Sequence, residues 1–234
     1  MKTIGLIGGM SWESTLSYYK LLNEGVRRRL GGLHSAKIIL HSVDFAPIAR
    51  LQNEAKWEEA GEILNQAALS LERAGADFIL LCTNTMHKVA PQIIQNCHIP
   101  FVHIAEATAK ALKANHSQKT ILLGTRFTMQ ESFYKDILQE RGISVVIPNE
   151  KDILLINQII FEELCLGTIK ESSKKLFLSI IDGLKNDDEM IDSVILGCTE
   201  IGLLLEPKSS QLPLYDTTLL HVKEALNLSI PSIL

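Results

Sequence analysis

Four short segments group the polar and nucleophilic side chains of this chain: Gly8-Gly9-Met10-Ser11, Thr83-Asn84-Thr85, Gly124-Thr125-Arg126-Phe127-Thr128 and Gly197-Cys198-Thr199-Glu200. Each follows an apolar run and precedes a helical pattern. Small residues there let a ligand approach the backbone, and the unpaired N–H groups of a helix start favour an anion such as a carboxylate. Cys198 carries the strongest chemical signal. A thiol between a buried strand and a helix start is expected to have its pKa lowered from the ordinary value of about 8.5. Such a thiolate can take and return a proton. Glu200, in the first turn of the next helix, would tune that thiol, bind a substrate ammonium, or serve only as a partner of the helix dipole.

Other candidates give weaker signals. Thr83 ends a strand as Cys198 does, but a threonine hydroxyl donates hydrogen bonds and is a very poor base. Its alternative role is to cap the next helix. His87 lies four residues beyond Thr83, where it would support a thiol or a substrate carboxylate. His34, His41, His103, His116 and His221 follow no ligand spacing and read as surface or satisfied core residues. The first loop lacks the GxGxxG spacing of a dinucleotide site, and Gly5-Leu6-Ile7-Gly8-Gly9 is no P-loop. Cys82, Cys97, Cys165 and Cys198 show no CxxC spacing, which argues against a zinc site and a secreted disulfide framework, so free thiols are expected.

The elements that must position these residues follow a βαβ rhythm. Strand-like runs at 4–7, 37–43, 78–81 and 100–102 alternate with helical patterns at 12–30, 58–74, 86–95 and from 103 through 114. The rhythm restarts with strands at 120–123, 144–147 and 193–196 and helices at 128–140, between 152 and 184 (two), at 199–205 and at 217–226. The strands are continuous apolar runs, as burial on both faces of a parallel sheet requires. The expected fold class is therefore α/β with two mainly parallel sheets.

The restart is also a sequence repeat. An offset of 115 places Asp77-Phe78-Ile79-Leu80-Leu81-Cys82-Thr83 over Asp192-Ser193-Val194-Ile195-Leu196-Gly197-Cys198 without a gap, and an offset of 116 places Gly8 over Gly124. Cys82 and Cys198 are both followed by Thr, but matching them needs a one-residue slip, which turns every strand side chain to the other face. The gapless pairing sets Thr83 opposite Cys198. Two similar α/β subdomains are expected, 1–114 with 213–234 and 115–212, the tail crossing back onto the first.

Composition limits the function classes. With 234 residues, 46% hydrophobic and 21% charged, the chain can bury a substantial core. The net charge of −4 offers no footprint for nucleic acid, and the cluster Arg27-Arg28-Arg29 reads as a solvated helix end. No apolar run has the length of a membrane span and no leader pattern precedes the first strand, so a cytoplasmic location without membrane partners is expected.

The segments GLIGGMSWEST near residue 5, LCTNTMH at 81–87, LLGTRFTM at 122–129, EELCLG at 162–167 and GCTEIGLLL at 197–205 resemble the aspartate/glutamate racemases in order and spacing over essentially the full chain. That resemblance implies two pseudo-symmetric α/β subdomains, catalysis without pyridoxal phosphate or a metal, and a homodimer. Carried over residue by residue, it makes Cys198 the second catalytic cysteine and puts Thr83 where the first would stand. It implies substrate contacts at Met10, Gln52, Asn84, Thr85, Thr125, Thr128 and Thr199, to which the reading of the loops themselves adds Glu200 beside them and Gly8, Gly9 and His87 in support. Where some members carry a lysine in the second-half helix motif, this chain has Cys165. The implied activity is racemisation of a small acidic amino acid, asymmetric between enantiomers because one thiol is replaced. A one-cysteine dicarboxylic acid decarboxylase or isomerase, and a non-catalytic amino-acid-binding protein, remain as alternatives.

Overall fold

The computed structural model describes residues 1–230, which form two compact units: Met1–Ile104 with the segment from His221, and Ala105–Leu220. The first unit runs β1 (Ile4–Gly8), α1 (Trp12–Leu30), β2 (Ile38–Ser42), α2 (Phe45–Asn53), α3 (Trp57–Arg73), β3 (Phe78–Leu81), a 3-10 turn (Thr85–Val89), α4 (Ala90–Ile93) and β4 (Phe101–Val102). Its four strands are parallel in the order β2-β1-β3-β4. The continuous apolar strands divide between two faces. Ile4, Leu6, Phe78, Leu80 and Cys82 pack with Tyr18, Leu22 and Val26 of α1, while Ile7, Ile79 and Leu81 pack with Leu64, Ala67 and Leu71 of α3. Burial on both faces is what makes them continuous rather than alternating.

The second unit takes up the chain with α5 (Ile104–Ala114), whose first residue closes the first unit. It then follows β5 (Lys119–Gly124), α6 (Arg126–Gln130), α7 (Ser132–Glu140), β6 (Ser144–Val146), α8 (Glu150–Glu162), a 3-10 turn (Leu164–Leu166), α9 (Glu171–Asp187), β7 (Ser193–Gly197), α10 (Ile201–Leu204), β8 (Leu214–Asp216) and the start of α11 (Thr217–Ser229), which from His221 belongs to the first unit. Its parallel order β6-β5-β7-β8 repeats that of the first unit. The register repeats as well: Ile4 lies opposite Phe78 and Thr120 opposite Ser193. Even the amino-end clamp recurs, since Asp77 accepts from the Thr3 N–H and Asp192 from the N–H groups of Gln118 and Lys119.

Several boundaries differ from the pattern read along the chain, each for a local reason. The unit division falls at 104/105 and 220/221 rather than 114/115 and 212/213. Helix α5 is tied into the second unit, where Thr108 accepts from the Tyr134 hydroxyl and Glu106 pairs with Arg141. The tail pairs first with β7 as β8, and Thr217 donates to the Leu196 carbonyl. Only from His221 does it join the first unit. Pro91, which lacks an N–H, separates the expected helix 86–95 into a 3-10 turn and the short α4. Extended Glu131 splits 128–140 into α6 and α7. Helix α2, which the apolar pattern did not single out, starts where the Asp44 side chain accepts from the Ala46 N–H.

Candidate active site

In open parallel sheets, ligand-binding groups collect beyond the carboxyl ends of the strands. In the first unit those ends carry the Gly8 and Thr83 loops. Gly9 adopts φ +98°, and a Cβ there would strike the Val43 backbone, so glycine is required. Its N–H donates to the Thr15 hydroxyl, which donates in turn to the Ser11 carbonyl, and the Ser11 side chain caps α1 by accepting from the Ser14 N–H. The Ser14 hydroxyl donates to the Cys82 carbonyl and so holds the end of β3. Thr15 and Ser14 were not among the sequence candidates, although the Ser11-x-x-Ser14-Thr15 run after two glycines is a legible N-terminal cap pattern.

Thr83, Asn84 and Thr85 are all buried. Thr83 does not cap a regular helix, because the 3-10 turn that follows has Asn84 at its cap position. His87 is buried, with Nδ1 2.8 Å from the Thr83 carbonyl and Nε2 accepting from the Ile104 N–H at 3.2 Å. The carbonyl can only accept, so Nδ1 carries the proton and the ring is neutral. Burial, with His103 and His221 beside the ring, holds its pKa well below the ordinary value. His87 thus serves the backbone of the Thr83 loop, and no ring nitrogen is left for a thiol or a substrate carboxylate. Met10 packs with Ile48, Leu51 and Met86 in the core, and the Gln52 amide donates to the Met86 sulfur at 2.9 Å. Cys82 lies on the opposite face from these, fully buried among Ile4, Leu6, Phe78 and Leu80, where burial pushes its thiol far up.

In the second unit Thr125 caps α6, its hydroxyl accepting from the Thr128 N–H and lying 3.2 Å from the Thr128 hydroxyl. Thr128 is fully buried and packs over Gly124, where a Cβ would come within 2.7 Å of the Gly197 carbonyl oxygen. That glycine keeps the carboxyl ends of β5 and β7 in close approach. Directly beyond them stand Cys198, Thr199 and Glu200, all nearly buried. The Cys198 Sγ donates to Glu200 Oε2 at 3.0 Å and the Thr199 hydroxyl donates to the same oxygen at 2.6 Å.

This arrangement corrects the expectation for the thiol. Burial first, then the Glu200 carboxylate and Cys165, raise the Cys198 pKa well above its ordinary value. The lowering expected from a helix start fails because α10 is a single turn and a carboxylate, not a cation, faces the sulfur. Cys198 therefore rests as a protonated thiol hydrogen-bonded to a base. Asp216, at the end of β8 beside Gly202, is a further carboxyl group at this edge, raised by burial and accepting from the Thr218 and Leu219 N–H groups. The three-residue strand Leu214–Asp216 is too short to leave an apolar run in the sequence, so the pattern does not single Asp216 out.

Since Gly124 pairs with Gly197 in β5/β7 and the matching ladder in β1/β3 ends at Ile7 opposite Leu81, the next residues, Cys82 and Gly197, correspond. Thr83 then holds in the first unit the position that Cys198 holds in the second. Among the described residues no cluster of three or more His, Cys, Asp or Glu side chains is arranged to hold a metal, and no helix is long and apolar enough to cross a membrane.

Known proteins resemble this chain over nearly its full length. The profile of the Asp/Glu/Hydantoin racemase family matches residues 7–225. The broad specificity amino-acid racemase RacX of Bacillus subtilis is 25% identical over 230 residues, 96% of each chain. A solved structure of an aspartate racemase homologue from Pyrococcus horikoshii superposes with a TM-score of 0.85 at 36% identity, covering 98% of this chain and 99% of that one. A solved candidate Asp/Glu racemase from Yersinia pestis reaches a TM-score of 0.89 at 47% identity, with coverage of 98% and 99%. From its capped loops to its buried thiol, the chain belongs to the Asp/Glu/Hydantoin racemase family.

Proposed function

We propose that the protein is an amino-acid racemase acting on aspartate or glutamate by exchange of the α-proton through Cys198. The observation that carries this reading is the Cys198 thiol at the carboxyl end of β7, hydrogen-bonded to a carboxylate and preceded by a glycine that keeps the strand ends close. Its state is that of a side chain built to handle a proton. One named relative is a broad specificity amino-acid racemase, and another is an aspartate racemase homologue. The buried polar groups of the Thr83 and Thr125 loops, with Met10, Gln52, Thr128 and Thr199, are the proposed substrate contacts. Their hydroxyl, amide and N–H groups would hold the carboxylates and stabilise charge as it develops at the α-carbon.

Thr83, at the position equivalent to Cys198, serves the other proton transfer in this reading. A hydroxyl gives a proton more readily than it takes one, so exchange is faster from one enantiomer than from the other. The test is ¹H NMR of L- and D-aspartate and L- and D-glutamate in heavy water with the wild type and Cys198→Ser. One enantiomer is expected to incorporate α-deuterium at least about tenfold faster than its mirror image, and Cys198→Ser to abolish that incorporation. Unchanged exchange in the serine variant would remove Cys198 from the reaction.

The protonated state of Cys198 also favours a second reading, a one-cysteine decarboxylase or isomerase of dicarboxylic acids, which needs only a proton donor. Product analysis with malonates and maleate separates the two. A homodimer, taken from the family resemblance, is part of the proposal and is tested by sedimentation equilibrium.

A further inference from the structure

Two buried histidines grip the backbone where the first unit ends. His221, the residue at which the tail returns to that unit, has Nε2 2.7 Å from the Val102 carbonyl and Nδ1 2.7 Å from the Tyr18 hydroxyl. Burial pulls its pKa down to about 3, so the ring is neutral. A carbonyl only accepts, so the proton sits on Nε2 and Nδ1 accepts from Tyr18. His87 has the opposite tautomer: Nε2 accepts from the Ile104 N–H and Nδ1 donates to the Thr83 carbonyl. Tyr18 and His221 are fully buried, and the two imidazole rings stand edge to face 5.9 Å apart. Strand β4 is only two residues long, so its ladder with β3 stops at Val102 opposite Leu80. The Ile104 N–H opens helix α5, where a helix offers no acceptor of its own. Tyr18, the two rings and the backbone of 102–104 therefore form one directed chain that ends on the Thr83 carbonyl. A purely apolar core could fill the same space but would not fix that direction.

We propose that His221, oriented by Tyr18, is a positioning residue for Thr83, acting through the backbone of 102–104 and His87. The inference rests on the racemase reading, in which Thr83 serves the proton transfer opposite Cys198. Enantiomers have equal free energies, so racemisation has one kcat/KM in both directions, set by the higher of its two proton-transfer barriers. With a hydroxyl on one side and a thiol on the other, the higher barrier is the one at Thr83. A displaced Thr83 hydroxyl then slows racemisation in full, while proton removal by Cys198 is spared.

Racemisation of aspartate and glutamate is followed by polarimetry with the wild type, His221→Gln and His221→Asn, and the Tm of each is measured. Gln places its amide near Nε2 and keeps the bond to the Val102 carbonyl, whereas Asn reaches only the place of Nδ1 and loses it. Positioning through His221 predicts a kcat/KM within about threefold of the wild type for His221→Gln and about tenfold lower for His221→Asn. A second measurement isolates the Cys198 side: chloride release at saturating β-chloroaspartate, tried in both α-configurations. There the α-proton passes to Cys198, the Cα–H electron pair forms the Cα–Cβ double bond, and chloride leaves with the C–Cl pair. The enamine hydrolyses to oxaloacetate and ammonium, and nothing is delivered from Thr83. His221→Asn should release chloride from the faster configuration within about twofold of the wild type. Equal racemisation rates in the Asn and Gln variants, or a loss of chloride release as large as the loss of racemisation, overturns the positioning role and leaves the racemase reading standing. Absence of wild-type racemisation of either acid overturns both. If the wild type releases no chloride, the contrast between Gln and Asn decides alone. If His221→Asn does not fold, Tyr18→Phe is read in its place, with an expected loss of about fivefold in racemisation and unchanged chloride release; unchanged racemisation there overturns the role.

Discussion

Replacing His87 tests whether the Thr83 loop is held by one neutral ring. His87 is buried, donates from Nδ1 to the Thr83 carbonyl at 2.8 Å and accepts at Nε2 from the Ile104 N–H at 3.2 Å. His87→Leu fills a similar volume but strands both backbone groups away from water. Each such loss costs about 1–3 kcal/mol, so about 4 kcal/mol in total is expected, or a Tm lower by roughly 8–16 °C for a chain of this size. Two polar variants separate positioning from stability. Asn carries an amide N–H close to the place of Nδ1 and keeps the Thr83 bond, whereas Gln places its amide near Nε2 and keeps only the Ile104 bond. Racemisation kcat/KM is expected to stay within about threefold for His87→Asn and to fall about tenfold for His87→Gln, because small displacements of a positioned loop are costly to catalysis. Thermal unfolding by circular dichroism and a polarimetric racemisation assay provide the readouts. A Tm for His87→Leu within about 2 °C of the wild type, or equal activity losses for Asn and Gln, would refute the reasoning.

Two further outcomes follow from burial and close packing. Burial holds the folded-state pKa of His87 well below its ordinary value and pulls His221 down to about 3, so both rings bind fewer protons folded than unfolded. Their stabilisation is fully present above the unfolded histidine pKa of about 6.5 and is lost as pH falls below it, by about 1.4 kcal/mol per pH unit for each ring. Urea unfolding should therefore give a free energy about 3 kcal/mol lower at pH 5.5 than at pH 8, and equal values would contradict neutral burial of the two rings. In Gly124→Ala the new Cβ would sit 2.7 Å from the Gly197 carbonyl oxygen and 3.1 Å from Thr128 Cβ. The strand end before Cys198 must move, at a cost of about 2–3 kcal/mol in the same urea assay together with slower α-exchange. A variant as stable and as active as the wild type would show that this approach is not required.

Much of the fold was legible because burial on both faces leaves a direct trace in the apolar runs. Ile4 and Leu6 face α1 and Ile7 faces α3, so no polar residue interrupts the strand. The offset of 115 reappears as ladder register, with Phe78 and Ser193 at matching places in their sheets. The cap at Thr125, which accepts from the Thr128 N–H, follows the same local logic. What stayed hidden depends on where side chains end in three dimensions. The Cys198 pKa rises first because tertiary packing buries the thiol, and then because a carboxylate two residues away folds back onto the sulfur, neither of which a local pattern shows. The partners of His87 include Ile104, seventeen residues later in the chain. No local pattern announces either contact. The division of the chain near residue 104 likewise rests on tertiary bonds of α5, those of Thr108 with Tyr134 and of Glu106 with Arg141.

The central claim, that proton exchange runs through Cys198 with a threonine at the equivalent position, is tested most directly in the variant Thr83→Cys. α-Deuterium incorporation from the two enantiomers of the same amino acid is measured by NMR in heavy water for this variant and the wild type. The account predicts that a rate ratio of at least about tenfold in the wild type collapses toward one when the second thiol is installed, chiefly by acceleration of the slow enantiomer. Equal rates in the wild type, or a folded Thr83→Cys variant with the ratio unchanged, would contradict it.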